Sequence, residues 1–172
     1  MVFVTVGNAN QGFRRLLDAV DILAGKGIFD GQTVFVQSGH NSDFRPKHCE
    51  WKPFLPMDEF QERMEKANLV ITHGGCTQLQ VIHLGKIPIV MPRRKKYGEH
   101  VNDHQIQLVE ALATEGRIVP AYEPKDLPDA IARAKRESKR PLSSQPSRMF
   151  ELVAKGIEDL FRLNHFSIKP LM

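Results

Sequence analysis

Four short apolar runs, each closed by glycine, proline or a polar cluster, constrain this chain more than any other feature. They are "VFVTVG" at 2–7, "TVFVQSG" at 33–39, "NLVITHGG" at 68–75 and "IPIVMP" at 87–92. Each is too short for a helix and rich in β-branched residues, so each reads as a buried strand. Between them the period changes. Phe13, Leu16, Leu17, Val20 and Leu23 make a helical stripe closed by Gly25. Further helices are expected from Asp58, as N-cap, to about Ala67, from Thr77 to Leu84, from His100 to Ala113, and from Asp126 to about Ser138. Weaker strands are expected within 49–54 and 117–120. Strands alternating with helices argue a parallel sheet covered on both faces, an α/β, Rossmann-like, doubly wound domain.

This domain is expected over residues 1–139. "RPLSSQPS" at 140–147 reads as a linker, and a closing helix follows from about Met149 to Leu163. Its stripe of Phe150, Val153, Ile157 and Leu160 predicts packing back on the domain or onto a partner, with "NHFSIKPLM" as a tail.

With 24 Lys+Arg against 20 Asp+Glu, the net charge of +4 is too mild to argue for a nucleic-acid partner. Cys49 and Cys76 have no metal-site spacing and are expected to be free thiols of a reducing compartment. The first residues lack a basic leader, and no segment approaches the ~20 apolar residues of a membrane span. A cytoplasmic location is expected, with any membrane attachment supplied by the surface or by a partner.

In doubly wound folds ligands bind beyond the carboxyl ends of the strands. That rule selects "GNANQG" (7–12), "QSGHNS" (37–42), "THGGCT" (72–77) and "MPRRKKYGEH" (91–100) as one rim. No GxxxxGK[ST] and no GxGxxG occurs, which argues against a P-loop or a standard dinucleotide site. "HGGCT" opens a helix instead. Gly74-Gly75 either makes a tight turn or lets a phosphate approach unpaired N–H groups at a helix N-terminus. Thr77 and Gln80 fit a capping box; Gln80 could equally turn outward to a ribose hydroxyl. His100 and His104 are four apart, but Val101 stands where a zinc-protease motif needs Glu, so no metal site is expected. Gln105 shares a predicted inward stripe with Val101, Leu108 and Leu112, so it needs a polar partner, either the neighbouring backbone or a ligand. "RRKK" at 93–96 is either a solvated loop or a cationic wall for an anion.

Taken together, "FVTVG", "FVQSG", "FLPMDEFQERMEKANLVITHGG", "LGKIPIVMPRRKKYGEHVNDHQ" and "LVEAL" resemble the donor-binding C-terminal domain of family 28 glycosyltransferases. Within the family the sequence is most similar to stand-alone exopolysaccharide subunits of the PssE type. The carboxyl half of MurG and the catalytic subunit of the eukaryotic dolichol-linked N-acetylglucosaminyltransferase are relatives. The resemblance covers most of residues 2–120.

The resemblance implies a single GT-B lobe that binds a UDP-sugar donor without a cofactor or metal. It implies that His73, Gly74, Gly75 and Thr77 receive the diphosphate, and that Gln80 stands where the family usually holds the ribose with a carboxylate. It implies donor contacts from Asp103, His104 and Gln105, and suits Arg93 to the diphosphate or an acidic sugar. Gly7 and Asn8 would face the acceptor lobe, where the family normally shows Gly-Thr. That lobe, with the general base and the lipid-linked sugar acceptor, is expected on a membrane-associated, PssD-like partner, so no catalytic residue is assigned to this chain. The expected activity is inverting transfer to a polyprenyl-diphosphate-linked sugar. The alternative is a non-catalytic nucleotide-sugar-binding or partner-stabilising subunit, for which Gln80 in place of the acid is the main support.

Overall fold

Alternate residues of the first apolar run serve two different cores. Val2, Val4 and Val6 join Leu16, Leu17 and Val20 in one cluster, whereas Phe3 joins Phe35, Met64, Val70 and Val81 in another. A strand that buries both of its faces needs a layer of helices on each, and that is the architecture found. The computed structural model describes residues 1–137.

The strands are β1 (Val2–Thr5), β2 (Val34–Gln37), β3 (Glu50–Lys52), β4 (Leu69–His73), β5 (Ile89–Met91) and β6 (Val119–Pro120). They form one parallel sheet in the order β3-β2-β1-β4-β5-β6. The helices are α1 (Arg14–Gly25), α2 (Met57–Lys66), α3 (Cys76–His83), α4 (His104–Thr114) and α5 (Leu127–Glu137). Residues of α1 and α5 belong to the first core, and residues of α2 and α3 to the second. The expected doubly wound α/β fold is therefore present. The predicted linker and closing helix beyond residue 139 lie outside the described residues.

Three boundaries differ from expectation, each for a local reason. Pro56 rather than Asp58 precedes α2; its fixed φ of −54° suits the entry, and Asp58 lies in the acid-rich first turn. Gly75, extended at φ −103° and ψ −163°, begins α3, so the helix starts at Cys76 and no side chain caps it. The predicted Thr77–Gln80 capping box is not formed. Helix α4 starts at His104, not His100. Residues 100–103 are held in turns, where His100 Nδ1 lies 3.1 Å from Asn102 Oδ1 and Asp103 accepts the Lys95 N–H at 2.9 Å. Val101 consequently lies outside the helix and is exposed, and the inward stripe is Gln105, Val109 and Leu112.

Candidate functional site

The chain turns back on itself between β1 and β4, which are neighbours in the sheet although two strands intervene in sequence. At such a switch the loops leaving the two strands diverge and open a crevice. Here the crevice is a cavity of about 400 Å³, within the range of small-molecule sites. Gly7 and Asn8 enter it from β1, His73 from β4, and Cys76, Thr77 and Gln80 from α3. Opposite them stand Phe54, Leu55, Met57 and Phe60, from the connection between β3 and α2 and from α2 itself. The cavity therefore has one polar wall and one apolar wall.

Gln37 fixes the apolar wall to the sheet. Its Oε1 accepts the Leu55 N–H at 3.2 Å while its Nε2 donates to Thr5 Oγ1 at 3.3 Å. Phe54 packs edge-on against His40, ring centroids 4.9 Å apart. Phe54 stays 45% exposed at the cavity.

The polar wall is built around His73. A Cβ placed on Gly7 would lie 2.5 Å from its Cε1, and one on Gly75 would lie 2.4 Å from its Nε2. Gly74 answers to a different neighbour, since a Cβ there would lie 2.9 Å from the Gln105 Cβ and 3.0 Å from Val109. The paired glycines thus have a packing reason: Gly74 admits α4, and Gly75 admits the imidazole. Burial pushes the His73 pKa down to about 4, and the charges of Arg93 and His100 push the same way against a hydrogen bond with the Thr5 backbone. The ring is neutral at physiological pH. The first turn of α3 carries no acidic residue and no side-chain cap, so no side-chain anion competes at that end of the helix.

The segment after β5 is organised differently. Arg93 is fully buried. Its guanidinium donates to the carbonyls of Gln11 (2.7 Å), Val6 (2.8 Å), Glu99 (3.1 Å) and Gly12 (3.3 Å), and lies 4.8 Å from the Phe13 ring centroid. Desolvation pulls its pKa down to about 10, opposed by Glu99, so it stays charged. Arg93, expected at the donor, does not line the cavity, and these hydrogen bonds go to backbone carbonyls.

Gln105 is buried too, and its partner is the neighbouring backbone. Its Oε1 accepts from Arg93 N at 2.9 Å and from Gly74 N at 3.1 Å. Asp103 and His104 are exposed at the start of α4, away from the cavity lining. Two further members of the basic run turn toward Glu123. Arg94 pairs with it at 2.9 Å and Lys96 at 3.5 Å, so these two do not face the His73 loop as a cationic wall. Arg15 closes the segment from below, donating to both Glu99 oxygens at 2.8 Å and to Pro92 O at 2.9 Å.

The structure thus brings together Gly7, Asn8, His73, Thr77 and Gln80, with Gly74 and Gly75 directly behind them. It adds Gln37, Phe54, Leu55, Met57 and Phe60, which sequence reasoning did not select. The strand-end rule contained Gln37, and applied to the end of β3 it would also have found "PFLPM" at 53–57.

Among the described residues no group of three or more His, Cys, Asp or Glu could hold a metal ion, and no helix is long and apolar enough to cross a membrane. Both cysteines are free. Burial pushes the Cys49 thiol up to about 12, aided by Asp21, whereas Cys76 is exposed on the polar wall.

Residues 1–160 match the glycosyltransferase family 28 C-terminal domain. The chain belongs to that family. Among solved structures, the crystal structure of the glycotransferase of kitacinnamycin resembles this family 28 domain, with a TM-score of 0.53 and 19% identity. The match covers 81% of this chain and 35% of that one, so this chain spans about a third of its neighbour's length. At such identity the likeness is one of fold, and it supports the assignment to a GT-B lobe. No curated protein matches the chain.

Proposed function

We propose that this chain is the donor-binding subunit of a two-component inverting glycosyltransferase. It would hold a UDP-sugar while a membrane-associated partner presents a polyprenyl-diphosphate-linked sugar. The observation that carries this reading is the two-walled cavity at the β1/β4 switch, found in a chain of this family. An apolar wall of Phe54, Leu55 and Phe60 suits the faces of a nucleobase. Thr77 and the first-turn N–H groups of α3, which no side chain caps, suit a diphosphate, and Gln80, exposed at the rim, suits a ribose diol.

The chemistry follows from that placement. In sugar transfer the bond between the anomeric carbon and the diphosphate breaks, and charge develops on the departing UDP. A helix N-terminus preorganised toward that charge stabilises it without a metal. Neutral His73 adds a hydrogen-bonding group without adding charge. The general base that takes the acceptor's proton belongs to the partner, along with membrane attachment. Asn8, exposed beyond Gly7, faces that partner.

The test is calorimetric titration of the chain with UDP, UDP-N-acetylglucosamine and UDP-glucuronate, in chelator, alongside a Thr77→Val, Gln80→Ala variant. Saturable binding weakened about tenfold or more in the variant is expected. Wild-type binding that the variant leaves untouched would remove the site from this cavity.

A further inference from the structure

Resting on the reading that the donor's diphosphate meets the first turn of α3, we infer that Gln78 sets how tightly the donor binds. Its amide competes with the diphosphate for that turn. The observation behind this is a buried amide without a partner. Gln78 is fully buried, and neither its Oε1 nor its Nε2 has a hydrogen-bond partner. An amide so placed forgoes two acceptor lone pairs and two donor protons, which is costly away from water. Any nearby arrangement that pairs it is favoured by the cost it removes.

A partner lies within reach. Gly75 has the extended backbone of an N-cap residue, so Gln78 is the third helical residue of α3. The turn between them is already closed, since Gln78 N donates to Gly75 O at 3.3 Å. Glutamine in the third helical position is the residue type that reaches back to the N–H of the N-cap. Gly75 has no side chain to supply the reciprocal half of that motif. The capping pattern read from the sequence at Thr77 and Gln80 thus has a one-sided counterpart two residues earlier.

The start of α3 therefore has two arrangements. In the one described above, the amide is buried unpaired and no side chain caps the first turn. In the other, Gln78 Oε1 accepts the Gly75 N–H and takes up a donor that a diphosphate would otherwise use. A diphosphate favours the first arrangement. The cost of unpairing Gln78 is then subtracted from its affinity.

The test is titration of the full chain with UDP, UDP-N-acetylglucosamine and uridine, in wild type, Gln78→Met and Gln78→Glu. Methionine keeps an unbranched side chain but cannot accept the N–H as an amide does, whereas glutamate makes the competitor a charged one. Competition predicts that Gln78→Met tightens UDP and UDP-sugar by the same factor, about tenfold. It predicts that Gln78→Glu weakens both, and that uridine, which has no phosphate, binds all three forms alike. In the ligand-free chain the Gly75 amide should exchange faster in Gln78→Met than in wild type.

The inference is overturned if Gln78→Met leaves UDP affinity unchanged. It is overturned too if that variant binds UDP more weakly, the result of a direct contact, or if uridine tightens in step with UDP. Equal Gly75 exchange in wild type and Gln78→Met would also sink it. Absence of UDP binding in every form would instead defeat the functional reading, and the Gly75 exchange rates would still decide whether Gln78 caps the helix.

Discussion

The turn between β4 and α3 and the segment between β5 and α4 look alike in sequence. Both follow a buried strand, both are rich in polar residues, and both resemble donor-contacting motifs. Their structures differ in where the polar groups find partners. In the first, the N–H groups of α3 go uncapped and Thr77 and Gln80 stand at a cavity. In the second, Arg93 spends four hydrogen bonds on carbonyls, Gln105 accepts two N–H groups, and Arg94 and Lys96 lean on Glu123. A polar residue that spends its hydrogen bonds on the backbone builds a site; one left open at a cavity can serve a ligand.

The largest effect expected from breaking that contrast is at Arg93. Replacement by Met leaves several buried carbonyls without a donor and should cost about 3–5 kcal/mol in urea unfolding. Lys should rescue little, because a point donor does not reproduce the fork that spans these carbonyls. A loss under about 1 kcal/mol would mean that the segment is not tied as described.

Next comes the imidazole nest. Gly75→Ala should cost about 1–3 kcal/mol in wild type through overpacking against His73. On a His73→Ala background it should be nearly neutral, because the three atoms nearest the new methyl all belong to His73. Equal costs in the two backgrounds would place the reason for Gly75 elsewhere.

A pH series gives an effect of comparable size. The His73 pKa is about 4 in the folded chain, against about 6.5 when unfolded, so between these values the unfolded state binds the extra proton. Its contribution to stability is complete above pH 6.5 and falls as the pH drops toward 4, by up to about 3 kcal/mol. His73→Gln should flatten that slope. An unchanged slope would assign acid sensitivity to other groups.

The sheet was legible because its strands are short, apolar and separated by turn residues, so the fold class follows from pattern alone. The polar wall was legible for the same reason, since Gly7, His73 and Thr77 sit where strands end. The apolar wall was missed because Phe54 and Met57 are exposed in a proline-bounded connection that carries no periodic signal. The fate of Arg93 was not legible either. A charge run is ordinarily solvated, and the carbonyls that bury this one come from residues more than eighty positions earlier, apart from Glu99. Helix α4 began late because Asn102 and Asp103 bond locally, which period-counting ignores.

The central claim is that a nucleotide binds against the first turn of α3, and Cys76 reports on it directly. It is exposed on that turn, while Cys49 is half-buried with its thiol pushed up to about 12, so iodoacetamide near neutral pH should label Cys76 selectively. Labelling would be followed by mass spectrometry as UDP or a UDP-sugar is added. The account predicts that alkylation of Cys76 slows with the same half-saturation as the heat of binding. Saturable UDP binding that leaves the Cys76 rate unchanged would contradict it.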